Sequence, residues 1–212
     1  MPTAYGEAKV QSRNGRVEVE LKVSGLEPAT KFGMEYLTYV LWAISPQGRA
    51  VNLGEVLLNH NEAKLKATTE LQTFGLVITA EPYFAVTQPG SLVVSENMLR
   101  SDTAGMEQQI QFSYELLGRD AYSSSNARIN DAIFGIDSRT PLELFEARNA
   151  VRIARNANAD KYAPSALANA EHSLASAESA YHAKAKASVA TYARDAAQTA
   201  EDARVMSLKK QE

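Results

Sequence analysis

The chain changes its hydrophobic period once, and this change limits its fold more than any other feature. Before Gly118, apolar and polar residues alternate in short segments, most clearly in "RVEVELKV" from Arg16 to Val23. After Pro141 there is no glycine, and 21 of the last 72 residues are alanine. Alternation is typical of half-buried antiparallel strands, and spacing close to 3.6 residues is typical of helices. The sequence therefore predicts an α+β protein with two segregated parts.

The first part, 1–118, is predicted to be an antiparallel Ig-like β-sandwich of seven or eight strands. Asn14-Gly15 is expected to turn a hairpin between "EAKVQSR" and "RVEVELKV". The other predicted strands are "YLTYVLWAI", "AVNLGEVLL", "AKLKATTEL", "GLVITAE", "SLVVSEN" and "QIQFSYELL". Trp42 lies in the strand that is apolar on both faces. We predict that it packs in the core and does not line a ligand pocket.

The second part, 141–212, is predicted to be an alanine-rich helical hairpin or three-helix array. Residues 119–140 are rich in serine, asparagine and aspartate, and we interpret them as a linker or long loop. Helices are expected over 141–159, 164–183 and 186–209, the last two being either separate or continuous. The apolar positions with heptad spacing are Leu144, Ala147, Val151 and Ala154; Leu167, Ala170, Leu174, Ala177 and Tyr181; and Val189, Tyr192, Ala196, Thr199, Ala203 and Met206. Such seams require partners, so the helices are expected to pack on a neighbouring protein, on another copy through self-association, or on the sandwich.

Composition excludes several classes of protein. The formal net charge of -3 provides no basic field for nucleic acid. Because cysteine is absent, disulfides, thiolate zinc sites and cysteine nucleophiles are excluded. The longest apolar run, Tyr39 to Ile44, is far shorter than the ~20 residues of a spanning helix, so no membrane span is expected. The first ten residues do not resemble a signal peptide, which leaves a cytoplasmic protein or a removed targeting segment.

Motifs of catalysis and metal binding are missing from the sequence. There is no G-x-S-x-G, H-E-x-x-H, P-loop or G-x-G-x-x-G pattern. Of the three histidines, His172 and His182 lie in the helical part but are too far apart for a metal pair on one helix face, and His60 lies in a turn. We therefore predict that the protein is not an enzyme and holds no metal or cofactor.

One candidate binding surface is the loop "EPYFAVTQPG", which runs from Glu81 to Gly90. Exposed Tyr83 and Phe84 side chains in a loop between strands can contact a partner or ligand. Alternatively, the two aromatic side chains fold back over the open end of the sandwich. Glu81, before a proline at a strand end, is either part of this surface or an edge or turn residue.

A second candidate surface is a stripe of three arginines, Arg148, Arg152 and Arg155, on the first helix. Glu143 and Glu146 precede them, as the helix dipole favours. The stripe is either a solvated helix face or a contact for an anionic polymer, such as a wall glycan or phospholipid headgroups.

Residues 36–97 resemble the extracytoplasmic domain of anti-sigma-K-type factors. The shared pattern is a "Y-x-L-W" strand, a "G-x-x-x-x-L-G" turn and strand, and a "V-T-x-E-P" segment. It corresponds here to Tyr39, Leu41, Trp42, Gly48, Leu53, Gly54, Ile78, Thr79, Glu81 and Pro82. The resemblance implies a β-sandwich on the outer side of a cytoplasmic membrane. This sequence has neither the transmembrane helix nor the sigma-binding domain of that family, so anti-sigma activity is not implied.

The whole chain is similar to the N-terminal part of certain bacterial OmpA-like envelope proteins, in which an alanine-rich helical segment follows a comparable sandwich. The helical likeness lies in "LELFEARNAVRIARNANADKYAPSALANAEHSLASAE". This similarity implies a periplasmic or outer-membrane-associated module of a longer protein, whose cell-wall polymer contact would use a domain not in this chain.

The expected function is a non-enzymatic cell-envelope module. Its sandwich would contact a partner or ligand, and its helices would act as spacer and oligomerisation element. The alternatives are a small-ligand or glycan-binding domain that uses the Tyr83-Phe84 loop, and a self-assembling filament or layer subunit.

Overall fold

The computed structural model describes residues 4–13, 15–33, 35–98, 114–118 and 139–212. In this part of the chain seven β-strands come first and four α-helices follow, which confirms the predicted segregated α+β class. The strands are β1 (Tyr5–Arg13), β2 (Arg16–Ser24), β3 (Thr38–Ile44), β4 (Ala50–Glu55), β5 (Glu62–Thr69), β6 (Gly75–Glu81) and β7 (Val93–Glu96). The helices are α1 (Leu142–Asn156), α2 (Ala159–Tyr162), α3 (Pro164–His182) and α4 (Lys186–Gln211).

The strands form two antiparallel sheets. One has the order β1-β2-β5, and the other has the order β4-β3-β6-β7. The sheets meet at Gly54 of β4, where an added Cβ would lie 3.4 Å from Leu65 Cδ1 of β5. Gly54 also has φ +135°, a conformation that side-chain-bearing residues rarely adopt. Packing of one sheet on the other agrees with the predicted sandwich.

The first hairpin follows the predicted alternation. Val17, Val19, Leu21 and Val23 of β2 are buried, whereas the residues between them are half-buried or exposed. Arg13 lies opposite Arg16, and Gly15 in the connection has φ +78°. Asn14 lies outside the described residues. A turn with positive φ matches the expectation from an Asn-Gly pair.

β3 is buried along its whole length, so both of its faces are covered. Trp42 has no exposed surface, and its indole Nε1 donates a hydrogen bond to Thr79 Oγ1 at 2.8 Å. The predicted core position of Trp42 is confirmed, and its one polar group has a partner on β6.

Two predicted segments fall mostly outside the described residues. They are the strand "QIQFSYELL", of which only 114–117 is described, and the linker 119–140, of which only 139–140 is described. Within the first, Leu117 forms an isolated parallel bridge with Gly90.

The helices are separated by two local breaks. Asn158 has φ 59° between α1 and α2, and Lys184 has φ 58° between α3 and α4. Beyond Lys184, Ala185 N donates to Ala180 O at 2.9 Å, the bond of a Schellman motif that ends a helix. α3 and α4 are therefore separate helices.

Helix α4 corrects one predicted seam. Its buried positions include Val189, Ala193, Ala196, Ala200, Ala203 and Ser207. Tyr192 and Met206, which the heptad pattern placed in the seam, are 44% and 50% exposed. The α1 positions Leu144 and Ala147 pack with Ala177 of α3 and with the first buried residues of α4. The seam therefore uses small residues in place of the two larger ones.

The chain forms two compact units whose boundaries do not follow the chain order. The first holds the described residues of Met1–Lys31, Thr38–Glu81 and Thr87–Gly118. The second holds those of Phe32–Leu37, Pro82–Val86 and Arg119–Glu212. Two short segments from the strand half thus belong to the helical unit, a feature that the predicted division into 1–118 and 141–212 lacks.

Candidate functional site

The segment 82–86 is part of the helical unit, and Tyr83 is its most deeply buried large side chain. Tyr83 has no exposed surface, and its hydroxyl donates to Glu201 Oε2 of α4 at 2.6 Å. A buried tyrosine requires such a partner because an unsatisfied hydroxyl in an apolar interior is costly.

Glu201 is neutralised within its own helix. Arg204, one turn later, donates through Nε to Glu201 Oε2 at 2.7 Å and through Nη2 to Oε1 at 2.8 Å. Both side chains are buried. A buried carboxylate is tolerated when it is paired with a cation and its oxygens accept hydrogen bonds. Glu201 meets both conditions through the bidentate contact with Arg204 and the hydrogen bond from Tyr83.

Phe84 is held at its backbone and at its ring. Its N–H donates to Glu146 Oε1 of α1 at 3.0 Å. The guanidinium carbon of Arg194, from α4, lies 3.9 Å from the ring centroid. This is a close cation–π contact. Helix α1 therefore binds the backbone of Phe84, and helix α4 contacts its ring.

Asn149 joins α1 to both inserted segments. Its Nδ2 donates to the backbone oxygens of Glu35 at 3.1 Å and Pro82 at 3.3 Å. Its Oδ1 accepts from Arg152 Nε at 3.1 Å and Nη2 at 2.6 Å. Burial lowers the pKa of Arg152, while Glu35 and Tyr83 act in the opposite direction. Arg152 thus orients Asn149 in a buried position and does not form a free cationic surface.

Within the strand unit, Glu81 links the two ends of the predicted aromatic loop through a hydrogen bond to Gly90. It is the last residue of β6 and is fully buried. Its Oε1 accepts from Thr79 Oγ1 at 2.5 Å and from the backbone N–H of Gly90 at 2.6 Å. The same Thr79 accepts from Trp42, so Glu81 extends a hydrogen-bonded chain that begins at the core indole.

The other two arginines of the predicted stripe form ion pairs with α3. Arg148 makes a bidentate contact with Glu178 at 2.7 and 2.9 Å. Arg155 Nη2 lies 2.7 Å from Glu171 Oε1. The later residue of α1 pairs with the earlier residue of α3, so the two helices run antiparallel. Such half-exposed pairs set helix register more than they add stability.

The six predicted site residues therefore do not form one surface. Glu81, Tyr83 and Arg152 are buried, Phe84 and Arg148 are half-buried, and Arg155 is exposed. Their role in binding stays a prediction. Four buried polar residues of this network were not predicted from the sequence as site residues: Glu146, Asn149, Glu201 and Arg204. The signal available in the sequence was the i, i+3 spacing of Glu201 and Arg204, which places opposite charges on one helix face.

Among the described strands and helices, β1 is the most exposed. Eight of its nine residues are exposed, with Tyr5 at 75% and Val10 at 48%. By register, Gly6, Ala8 and Val10 share the face of the buried β2 residues. β1 ends the order β1-β2-β5, and no strand pairs with its outer side in the described part of the chain. We call this outer side, residues 5–13, the β1 edge.

The described residues contain neither a membrane-spanning helix nor a three-residue metal site. No described helix has the length and apolar character needed to cross a membrane. Within the same residues, no group of three histidine, cysteine, aspartate or glutamate side chains is placed to hold a metal ion. Comparison with known proteins finds no matching family model, no matching curated protein and no matching solved structure.

Proposed function

We propose that the protein is a non-enzymatic protein-contact module of a bacterial cell envelope. The strand unit contacts its partner through the β1 edge, and the helical unit serves as a spacer. The observation that carries the proposal is the exposure of β1 along all but one of its nine residues. The envelope location depends on the resemblance of the sequence alone.

An edge strand offers backbone N–H and C=O groups to an incoming strand. The other edges are less suited to this role. β7 has four residues, and its pairing with β6 shifts register between Ile78 and Thr79. The pairing of β3 with β4 also shifts register. β5 has two buried residues, Ala63 and Thr69, and its Leu65 packs against Gly54 of β4, so it is less open than β1. The β1–β2 pairing is regular from Tyr5 to Arg13.

The helical unit supports a spacer role because its seams are used within the chain. Leu144, Ala177 and Ala193 pack in one buried cluster that draws on α1, α3 and α4. Helices that already bury their apolar faces have less to gain from further helix partners. Contact with a partner is therefore assigned to the strand edge.

The ligand-binding alternative has less support. A loop that binds a glycan through aromatic rings needs those rings exposed. Tyr83 is buried against Glu201, and the Phe84 ring lies under Arg194. The Tyr83-Phe84 loop therefore does not present the exposed rings that this second function needs.

Site-specific photo-crosslinking in cells that produce the protein tests the proposal. A benzoylphenylalanine replaces Val10 on the β1 edge, and a matched control replaces exposed Lys64 on β5, the opposite edge of the same sheet. The proposal predicts a discrete protein adduct at position 10 that is absent at position 64. Equal adducts at both positions, or none at position 10, would contradict it.

A further inference from the structure

We propose that the partner of the β1 edge is the β1 edge of a second copy of this chain. The two strands pair antiparallel about a two-fold axis that passes between the Ala8 residues of the two copies. This inference rests on the proposed function, since it takes the β1 edge as the contact surface and names its occupant.

The charge pattern of β1 is self-complementary about Ala8. Two edge strands related by a two-fold axis perpendicular to the sheet keep their faces, so each residue meets one with the same orientation. With the axis at Ala8, Glu7 of each copy lies opposite Lys9 of the other. One register therefore creates two cross-strand pairs of opposite charge, and such pairs stabilise antiparallel strands.

Neighbouring registers are worse or weaker. An axis at Lys9 places Lys9 opposite itself, and an axis at Glu7 places two carboxylates opposite each other. An axis at Val10 keeps Glu7 opposite Arg13, but Arg13 is the last residue of β1, so this pair lies at the end of the ladder. In that register Lys9 meets the uncharged Gln11. The Ala8 register is therefore the one that uses both central charges.

The other face of β1 also fits this register. Ala8 lies opposite itself, and Val10 of each copy lies opposite Gly6 of the other. Because glycine has no side chain, the exposed Val10 side chain meets no side chain of its direct partner. The nearest bulk is Val23 of β2, whose Cγ2 lies 3.2 Å from where a Cβ of Gly6 would stand. The methyl groups of two alanines leave room for close pairing. The product is a continuous six-stranded sheet with the order β5-β2-β1-β1-β2-β5.

Glu7 has a further interaction within its own chain, and it can keep this interaction while it meets Lys9 of the second copy. Two carboxylate oxygens offer about four lone-pair positions, so Glu7 can accept from Lys9 of the second copy as well.

Charge exchange tests the register. Sedimentation velocity over a concentration series measures the dimer dissociation constant of wild type, Glu7→Lys, Lys9→Glu and the double variant. Each single change creates two like-charge pairs and is expected to weaken dimerisation by about tenfold. The double variant restores opposite charges and should return to within about threefold of wild type.

Matched controls lie on the opposite edge of the same sheet. Glu62→Lys and Lys64→Glu make the same charge changes at exposed positions of β5 and should leave the dissociation constant unchanged. Circular dichroism checks that each variant is folded.

Three outcomes would overturn the inference. They are a wild-type chain that stays monomeric at all concentrations, a double variant as weak as the single ones, and an unaffected Lys9→Glu variant. If the chain is monomeric but position 10 crosslinks to a different protein, the self-pairing fails and the proposed function stands. If position 10 gives no specific adduct, both fail.

Discussion

At the scale of single residues, the buried polar contacts show where sequence reasoning stops. Trp42 was predictable as core because its strand is apolar on both faces. Its hydrogen-bond partner, Thr79, was not predictable, because it lies on β6 and the pairing places it opposite Val40. A side chain's burial follows from its own segment, whereas its partner depends on the register of another.

Replacing Trp42 with alanine should destabilise the strand unit by ~3–5 kcal/mol, the usual cost of truncating a large aromatic side chain in a core. The Trp42→Phe variant keeps most of the apolar volume and should lose less. Urea denaturation followed by circular dichroism measures both. An unchanged midpoint for the alanine variant would show that Trp42 is not a core residue.

Replacing Tyr83 with phenylalanine tests the buried polar network of the helical unit. The change removes one donor from the buried Glu201 carboxylate and should cost ~1–3 kcal/mol. Tyr114→Phe is the matched control, because the Tyr114 hydroxyl donates to Glu96 at 2.9 Å, and Tyr114 is half-buried while Glu96 is exposed. Similar denaturation midpoints for the two variants would contradict the structural importance of the Tyr83 contact.

The raised pKa of Tyr39 predicts a loss of folding stability at alkaline pH. Its hydroxyl donates to Glu27 O at 2.6 Å. Burial, and secondarily Glu27, raises its pKa to about 12. The neutral form is favoured in the folded state, so this stability is complete below the unfolded pKa of about 10. It is lost as the pH rises through about 12.

The free energy of unfolding should therefore fall between pH 10 and 12, and Tyr39→Phe should make this fall shallower. Burial also raises the pKa of Tyr114 to about 12, so some slope remains in the variant. Denaturation at a series of pH values measures the slope. An identical slope in wild type and variant would argue against the Tyr39 contribution.

At the scale of secondary structure, helix α4 shows how composition misled the seam assignment. A pattern that favours large apolar residues selects Tyr192 and Met206, yet the buried positions beside them are Ala193 and Ser207. Close helix packing needs small side chains, and it leaves the larger ones at the margin. The heptad spacing was predictable, but its phase was wrong at alternate positions.

Enlarging Ala193 tests the observed phase. Ala193→Leu inserts bulk into a fully buried position and should cost ~1–3 kcal/mol through overpacking. Tyr192→Leu, one residue earlier, is the control and should change little because that side chain is half exposed. Thermal unfolding of both variants decides the matter, since the reverse ranking would place Tyr192 in the seam.

At the scale of the whole molecule, the class and most of the elements were predictable, but the division into units was not. Periodicity identifies the strands and helices because each signal is local. The inclusion of 32–37 and 82–86 in the helical unit depends on Asn149, Glu146 and Glu201, which are distant from those segments in the chain. The exposure of β1 was not predictable either, because it depends on which other segments of the chain pack against this strand.

The central claim is that the β1 edge is a contact surface occupied by a second copy. Hydrogen–deuterium exchange at low and high protein concentration tests it most directly. In an edge strand about every second amide points outward and exchanges quickly until another strand pairs with it. The account predicts protection that rises with concentration and is confined to residues 5–13. Exchange in 5–13 that does not depend on concentration, or protection that rises elsewhere, would contradict it.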